Sequence, residues 1–286
     1  MSQELISYHG GHSGQYCNHA KDLLEEIVLK YIEQGFKAVG ITEHIPPVND
    51  QFLYPDERAL DLSATDLAKR FESYFSEVFC LKEKYAGQIT IYAGMETETV
   101  TGYVNHVKQL IETFRPDYIV GSVHHIDDRC FDYSRSEYDR IAESLGGYDL
   151  MYQRYFDLQY EMIQELTPFV VGHFDLIRIY DDAYEERLNQ PAIAEKIDRN
   201  LALIKSLDLV MDFNLRPLTR GEKEPYITAS ILKKAKRLGI CLVPGDDSHG
   251  VTEAGNHVSA ATQMLIRNGF STQWPAPKML TKGLKR

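Results

Sequence analysis

Six short apolar runs in this 286-residue chain end in a histidine or a carboxylate: LISYHGGH, ITEH, YAGMETE, IVGSVHH, FVVGH and LVPGDDSH. Runs of this length, rich in β-branched residues and bounded by turn residues, read as buried strands. With the run at 209–213 they make seven candidate strands, at 5–8, 38–42, 89–93, 118–122, 169–172, 209–213 and 240–243. Longer amphipathic segments alternate with them, and helices are predicted over 20–34, 65–85, 103–114, 148–166, 191–206, 226–238 and 254–268. In 65–85, Leu67, Phe71, Tyr74, Phe75, Val78 and Phe79 recur at the spacing of one buried helical face. Gly35, Gly87 and Gly239 each stand between a helical segment and the next strand, where a helix-terminating glycine belongs. Strand and helix in strict alternation make a parallel sheet covered by helices.

The polar ends of the runs decide how that sheet is arranged. An open doubly wound sheet gathers ligands from two or three strands at its switch point. A barrel brings the carboxyl ends of all its strands to one face. Six donor-bearing strand ends favour the barrel, so the expected fold is α/β, a distorted TIM-barrel-like (β/α)7 barrel spanning 1–286 as a single domain, with a metal site at the C-terminal face of the strands. The connections at 45–62, 126–147 and 214–225 are longer than usual loops, and long loops in compact domains tend to be functional.

Composition excludes several classes. Apolar residues make up 43% and charged residues 26%, as in ordinary soluble proteins. No apolar stretch approaches the ~20 residues of a membrane span, and the N-terminus lacks a secretory pattern, so a cytoplasmic location and no membrane partner are expected. A net charge of −11 argues against a partner that is a nucleic-acid backbone. The cysteines, Cys17, Cys80, Cys130 and Cys241, form no CxxC pair and suggest neither a zinc knuckle nor a disulfide framework. Cys17 stands apart only because it lies between His12 and His19.

Seven histidines sit at the run ends, His9, His12, His19, His44, His124, His173 and His249, together with Glu96 and Asp247. One histidine after one strand is usually an ordinary hydrogen-bonded residue; the shared position of all nine points to a metal site. Nitrogen and oxygen donors without thiolate suit zinc, manganese or iron. Glu98, two residues after Glu96, points the same way along a strand and is expected to support the ligands. By the same alternation Asp246 faces away from Asp247 and His125 from His124, while His106 and His257 fall in predicted helices and read as surface residues.

These segments resemble those of the polymerase and histidinol phosphatase (PHP) superfamily over nearly the whole chain, particularly its histidinol-phosphate phosphatase branch. HSGQYCNH matches the opening through His12 and His19, TEHIP through His44, GMETE through Glu96, GSVHH through His124, VGHFDLI through His173, and GDDSH through Asp247 and His249. The family's opening His-x-His departs here: Gly10 stands two places before His12, and the nearest imidazole is His9, three places before. A looped-out glycine would let both rings aim inward, since glycine tolerates unusual backbone angles.

The resemblance implies a trinuclear divalent metal cluster: one ion on His9, His12, Glu96 and Asp247, a second on Glu96, His124 and His173, and a third on His19, His44 and His249. It implies hydrolysis of a small phosphorylated amino alcohol, L-histidinol phosphate, by a hydroxide bridging two metals. Catalysis is expected of Asp247, Glu96 and His249, with Asp247 or a neighbouring histidine as proton source for the leaving alkoxide. Phosphate recognition asks for arginine, and Arg178, Arg216 and Arg220 follow the relevant runs. A substrate amine would meet Asp50, Tyr54, Asp56, Glu57, Asp127, Asp128 or Tyr133 in the long loops. A nucleotide or nucleic-acid phosphoesterase, and a metal-stabilised accessory module without activity, are the alternatives.

Overall fold

The computed structural model describes residues 4–279. All seven expected strands are present: β1 (Ile6–Ser7), β2 (Ala38–Ile41), β3 (Thr90–Glu96), β4 (Tyr118–Gly121), β5 (Val170–Val171), β6 (Val210–Asn214) and β7 (Cys241–Gly245). They lie side by side in sequence order, every pair parallel. The sheet curls until its edges meet, where Tyr8 N donates to Pro244 O at 3.0 Å and Asp247 N to His9 O at 2.9 Å. The result is a distorted (β/α)7 barrel.

Side chains alternate across the barrel wall as a two-residue period requires. Tyr8, Ala38, Tyr118, Val120, Val210 and Val243 pack together in the barrel interior. Val39, Ile41, Ile91, Ile119, Met211 and Leu242 point outward into the larger core beneath the helices. Tyr118 fills so much of the interior that a Cβ on Gly40 would lie 1.7 Å from its hydroxyl. That hydroxyl donates to Tyr8 O at 2.5 Å.

The covering helices are α1 (Leu24–Glu33), α2 (Ala64–Lys84), α3 (Tyr103–Phe114), α4 (Arg135–Leu145), α5 (Tyr148–Leu166), α6 (Pro191–Ser206), α7 (Ala229–Leu238) and α8 (Val258–Arg267). Seven were expected. The eighth, α4, lies within the segment read as loop 126–147; it is capped by Ser134 and buries Tyr138, Ile141 and Ala142 at helical spacing. The same segment holds a small hairpin pairing His125 with Cys130. Helix α7 starts three residues late because Tyr226 bridges to Asn214 as a strand partner.

Two packing expectations need correction. Phe79 on α2 is 36% exposed, and Leu81 takes its place on the buried face. Tyr74 of that face reaches through to Ile41 O (2.8 Å) and Gly94 O (2.6 Å), tying α2 to β2 and β3. Gly35 and Gly239 adopt left-handed φ of 78° and 65°, but Gly87 does not; Arg115 and Thr167 end α3 and α5 in that conformation instead. No helix among the described residues is long and apolar enough to cross a membrane.

Candidate metal centre

The two-residue alternation that fills the barrel continues past its carboxyl end and there carries polar groups. Tyr118 and Val120 are followed on the same face by Ser122 and His124, and Tyr92 and Gly94 by Glu96. Val210 leads to Asp212 and Asn214, and Val243 to Asp247. His9 and His12 leave β1, His44 follows β2, and His173 follows β5. All nine donors meet at this end of the barrel.

Glu96 is at the centre. Its Oε2 lies 3.3 Å from His9 Nε2, 3.7 Å from His12 Nε2 and 3.4 Å from His44 Nδ1. Its Oε1 lies 2.9 Å from His173 Nε2 and 3.4 Å from His124 Nε2, and those two nitrogens are 3.1 Å apart. Asp247 Oδ1 approaches His12 Nε2 at 3.2 Å and His9 Nε2 at 3.9 Å. On the far side the rings of His19, His44 and His249 gather, His19 being 5.3 Å from His44 and 5.0 Å from His249 between centroids. Asp247 holds a left-handed φ of 47°, a strained state for a residue with a Cβ and one that recurs at ligand clamps.

Whether a cation fits can be judged from the donors themselves. His9 Nε2, His12 Nε2 and Glu96 Oε2 are buried, face one another, and have no hydrogen-bond partner. Buried polar atoms are nearly always paired, so three converging orphans suit a cation that would accept their lone pairs.

A second layer fixes which nitrogen each ring presents. His9 Nδ1 donates to Asp212 Oδ2 at 2.7 Å, leaving Nε2 for the centre. His124 Nδ1 and His125 Nδ1 both donate to Glu98 Oε2, at 3.0 and 3.1 Å, and Tyr54 Oη donates to Glu98 Oε1 at 3.0 Å. Carboxylates behind ligand histidines set tautomer and orientation and raise ligand basicity. Asn214 Nδ2 donates to both Asp212 Oδ2 (2.9 Å) and Asp247 Oδ2 (3.1 Å). Glu43 accepts from Ser13 N and Oγ and stands 3.7 Å from His12 Nδ1.

Asp212, Glu43 and Asn214 were absent from the sequence reading. Asp212 had a visible signal, a carboxylate in mid-strand between apolar neighbours. His125 is a correction: instead of facing away from His124, it is buried in this layer and shares Glu98 Oε2 with it. Asp246 does face away, bonded to Ser7, Tyr31 Oη and Gly255 N. His106 is half-buried, Nε2 donating to Pro46 O at 2.8 Å, and His257 is exposed. Cys17 Sγ is 3.3 and 3.2 Å from the two ring nitrogens of His19, so it packs against the ring and lies on neither lone pair.

The glycines of HGGH serve a different purpose from the one expected. Neither Gly10 nor Gly11 has positive φ. A Cβ on Gly10 would lie 2.2 Å from Gly40 O, and one on Gly11 2.7 Å from Ile27 Cγ2. Close backbone packing, with no special angle, is what excludes side chains there.

Charge divides the centre in two. At His9 burial opposes protonation, but Glu96, Asp247 and Asp212 outweigh it and hold the imidazole well above its ordinary range. His12, also buried, is lifted to about 9 by Asp247 and Glu43, and His124 is raised by Glu98 and Glu96. Glu96 and Asp247 stay ionised well below the carboxylate range, because the surrounding histidines overcome burial. Opposite them, burial and then His44 and His12 lower His19 to about 3. Burial and His12 depress His249 in the same way.

A cleft of ≈ 430 Å³ opens onto the centre, with Glu96, His124, His173, Asp247 and His249 in its floor and Arg216 and Arg220 in its wall. Arg216 is paired with Glu253. The Arg220 side chain is exposed and has no ion pair or hydrogen bond among the described residues, although its backbone N donates to Pro217 O at 3.0 Å. Arg178 corrects the sequence reading: it is buried outside the cleft lining, donating to Glu222 (3.1 Å), Glu224 O (3.0 Å) and Pro225 O (2.8 Å). Phosphate contact would require residues 222–225 to release it. Of the rim groups, Tyr54, Asp56 and Tyr133 line the cleft, joined by Asp132. Asp50 and Glu57 accept from Ala64 N and Tyr54 N, Asp127 pairs with Arg154, and Asp128 accepts from Thr101 N.

Comparison with known proteins agrees with this architecture. Residues 9–215 match the PHP domain family. A Schizosaccharomyces pombe protein named as a probable histidinol-phosphatase is 35% identical over 271 residues, covering 93% of this chain and 88% of that protein. The crystal structure of a candidate histidinol phosphatase from Listeria monocytogenes superposes with a TM-score of 0.77 at 26% identity, over 89% of this chain and 99% of that one. The histidinol phosphate phosphatase of Lactococcus lactis, complexed with zinc, L-histidinol and phosphate, shares the fold with a TM-score of 0.70 at 20% identity, over 94% and 95%. The chain belongs to the PHP domain family and, within it, to the histidinol-phosphatases.

Proposed function

We propose that this protein is a metal-dependent phosphomonoesterase that hydrolyses L-histidinol phosphate to L-histidinol and phosphate, a step of histidine biosynthesis, with three divalent ions in its centre. The observation that carries the reading is the set of orphaned, buried donors around Glu96 at the floor of a cleft with an unpaired arginine. His9, His12, Glu96 and Asp247 would hold one ion, Glu96, His124 and His173 a second, and His19, His44 and His249 a third. Zinc accompanies L-histidinol and phosphate in the Lactococcus relative, and zinc, manganese and iron all suit nitrogen and oxygen donors. Bound divalent ions would supply Lewis acidity, polarising the phosphoryl oxygens and acidifying water.

The chain's own residues do the rest. Arg220 meets the non-bridging phosphate oxygens, with Arg216 beside it held by Glu253. Asp247, ionised and steadied through Oδ2 by Asn214, accepts a proton from the attacking water and returns it to the leaving alkoxide. Asp56 and Asp132 give the cleft wall the negative charge that a substrate ammonium seeks.

The test is metal analysis of the purified protein followed by turnover of L-histidinol phosphate beside a generic phosphate ester, a nucleotide and short DNA. Near three ions per chain and a clear preference for L-histidinol phosphate are expected. Metal content near zero would sink the cluster, bound metal without phosphate release would leave an accessory module, and preference for DNA would overturn the substrate assignment.

A further inference from the structure

Tyr226 lines the cleft at 1% exposure, and its Oη is buried without a hydrogen-bond partner. Its backbone is anchored, N donating to Asn214 O at 3.0 Å, and its ring stands edge-on to His173 with centroids 6.4 Å apart. Behind it the Arg178 guanidinium lies 4.7 Å from the Tyr226 centroid and 5.0 Å from that of Tyr184, clamped between two rings. Three hydrogen bonds to residues 222–225 hold that guanidinium still. A buried hydroxyl without a partner is rare, and one on a residue that lines the cleft beside a candidate ligand is suited to a group that arrives with the substrate.

We propose that Tyr226 donates a hydrogen bond to a phosphoryl oxygen of the bound ester, and that Arg178 is a positioning residue that fixes the tyrosine ring rather than a phosphate ligand. Arg220, in the same cleft wall, supplies the formal charge that a neutral hydroxyl lacks. The inference rests on the phosphatase reading above and adds to it a donor outside the metal ligands.

The experiment compares the metal-loaded wild type with Tyr226→Phe in turnover of L-histidinol phosphate and in calorimetric binding of inorganic phosphate. Loss of one preorganised donor should lower kcat/KM roughly ten- to hundredfold and weaken phosphate binding, with metal content unchanged. The melting temperature should hold or rise, since the variant removes an unsatisfied buried group. Unchanged kcat/KM and phosphate affinity would overturn the proposal, and so would a clear fall in melting temperature, which would reveal an existing structural partner. Arg178→Lys, which keeps the charge and loses the stack, should weaken phosphate binding in the wild type and have little further effect in the Tyr226→Phe background. Equal effects in both backgrounds would return Arg178 to direct contact. A wild type that releases no phosphate would sink the phosphatase reading alone; phosphate binding to the two proteins would still decide the hydroxyl's role.

Discussion

The two sides of the centre use the same side chain under opposite electrostatics. Around Glu96 and Asp247, the histidines sit among carboxylates, which hold His9, His12 and His124 protonated in the metal-free chain. Around His249 a carboxylate is also near, Asp247 Oδ1 at 3.8 Å from His249 Nδ1, but burial and the neighbouring histidines and Arg216 outweigh it and drive His19 and His249 to the neutral form. The first side is preorganised for positive charge but must shed protons to accept an ion; the second has its lone pairs free and little negative charge to offer. Burial is common to both, so the difference comes from neighbours alone.

The largest break should come from Glu96, which faces both proposed ions of the acidic side. Glu96→Gln should lower kcat by at least about a thousandfold, with metal analysis showing both ions lost and the histidine-only site retained. Loss of all three, or of none, would contradict the division.

Acidity should separate the sides next. For a histidine whose pKa is raised, such as His12 at about 9, metal binding below that pH displaces a proton, so affinity falls as pH falls. Between pH 8 and 6 the acidic side should weaken by roughly a hundredfold for each proton displaced. His19, at about 3, is already neutral across that window, and the third site should change little. Zinc titrations in buffers of different ionisation enthalpy would count the protons. In His249→Ala the binding event that releases the fewest protons should be the one that disappears.

Asp212 tests the support behind the acidic side. Asp212→Asn leaves every ligand in place but replaces the charged acceptor that orients His9 with a neutral amide, and metal affinity there should fall about ten- to a hundredfold. Affinity at the histidine-only site serves as the internal control. The smallest effect belongs to Arg220→Ala: KM raised about tenfold, roughly 1.4 kcal/mol of phosphate binding, with kcat and metal content nearly unchanged. A large fall in kcat would mean that Arg220 acts on the transition state instead.

Much of this was legible before any coordinates. The strands show because a buried parallel strand needs a continuous apolar run, and the inward face of each is readable from alternation; Glu96, His124 and Asp247 follow from counting in twos. The helix Arg135–Leu145 escaped because its few apolar residues are diluted by charge, although Tyr138, Ile141 and Ala142 keep the spacing. Asp212 escaped because it lies within β6, between Met211 and Phe213, and not at a strand end where the other donors sit.

The order of the elements, the face on which each donor lies and the residue types in the centre were determined by the sequence by itself, because they depend on short-range periodicity. Only the tertiary structure decided which carboxylate backs which imidazole, that Arg178 is stacked away from the cleft while Arg220 stays free, and that packing against Gly40 and Ile27 requires the glycines of HGGH. Those outcomes depend on contacts between segments as much as 203 residues apart, as His9 with Asp212, and no local pattern encodes them.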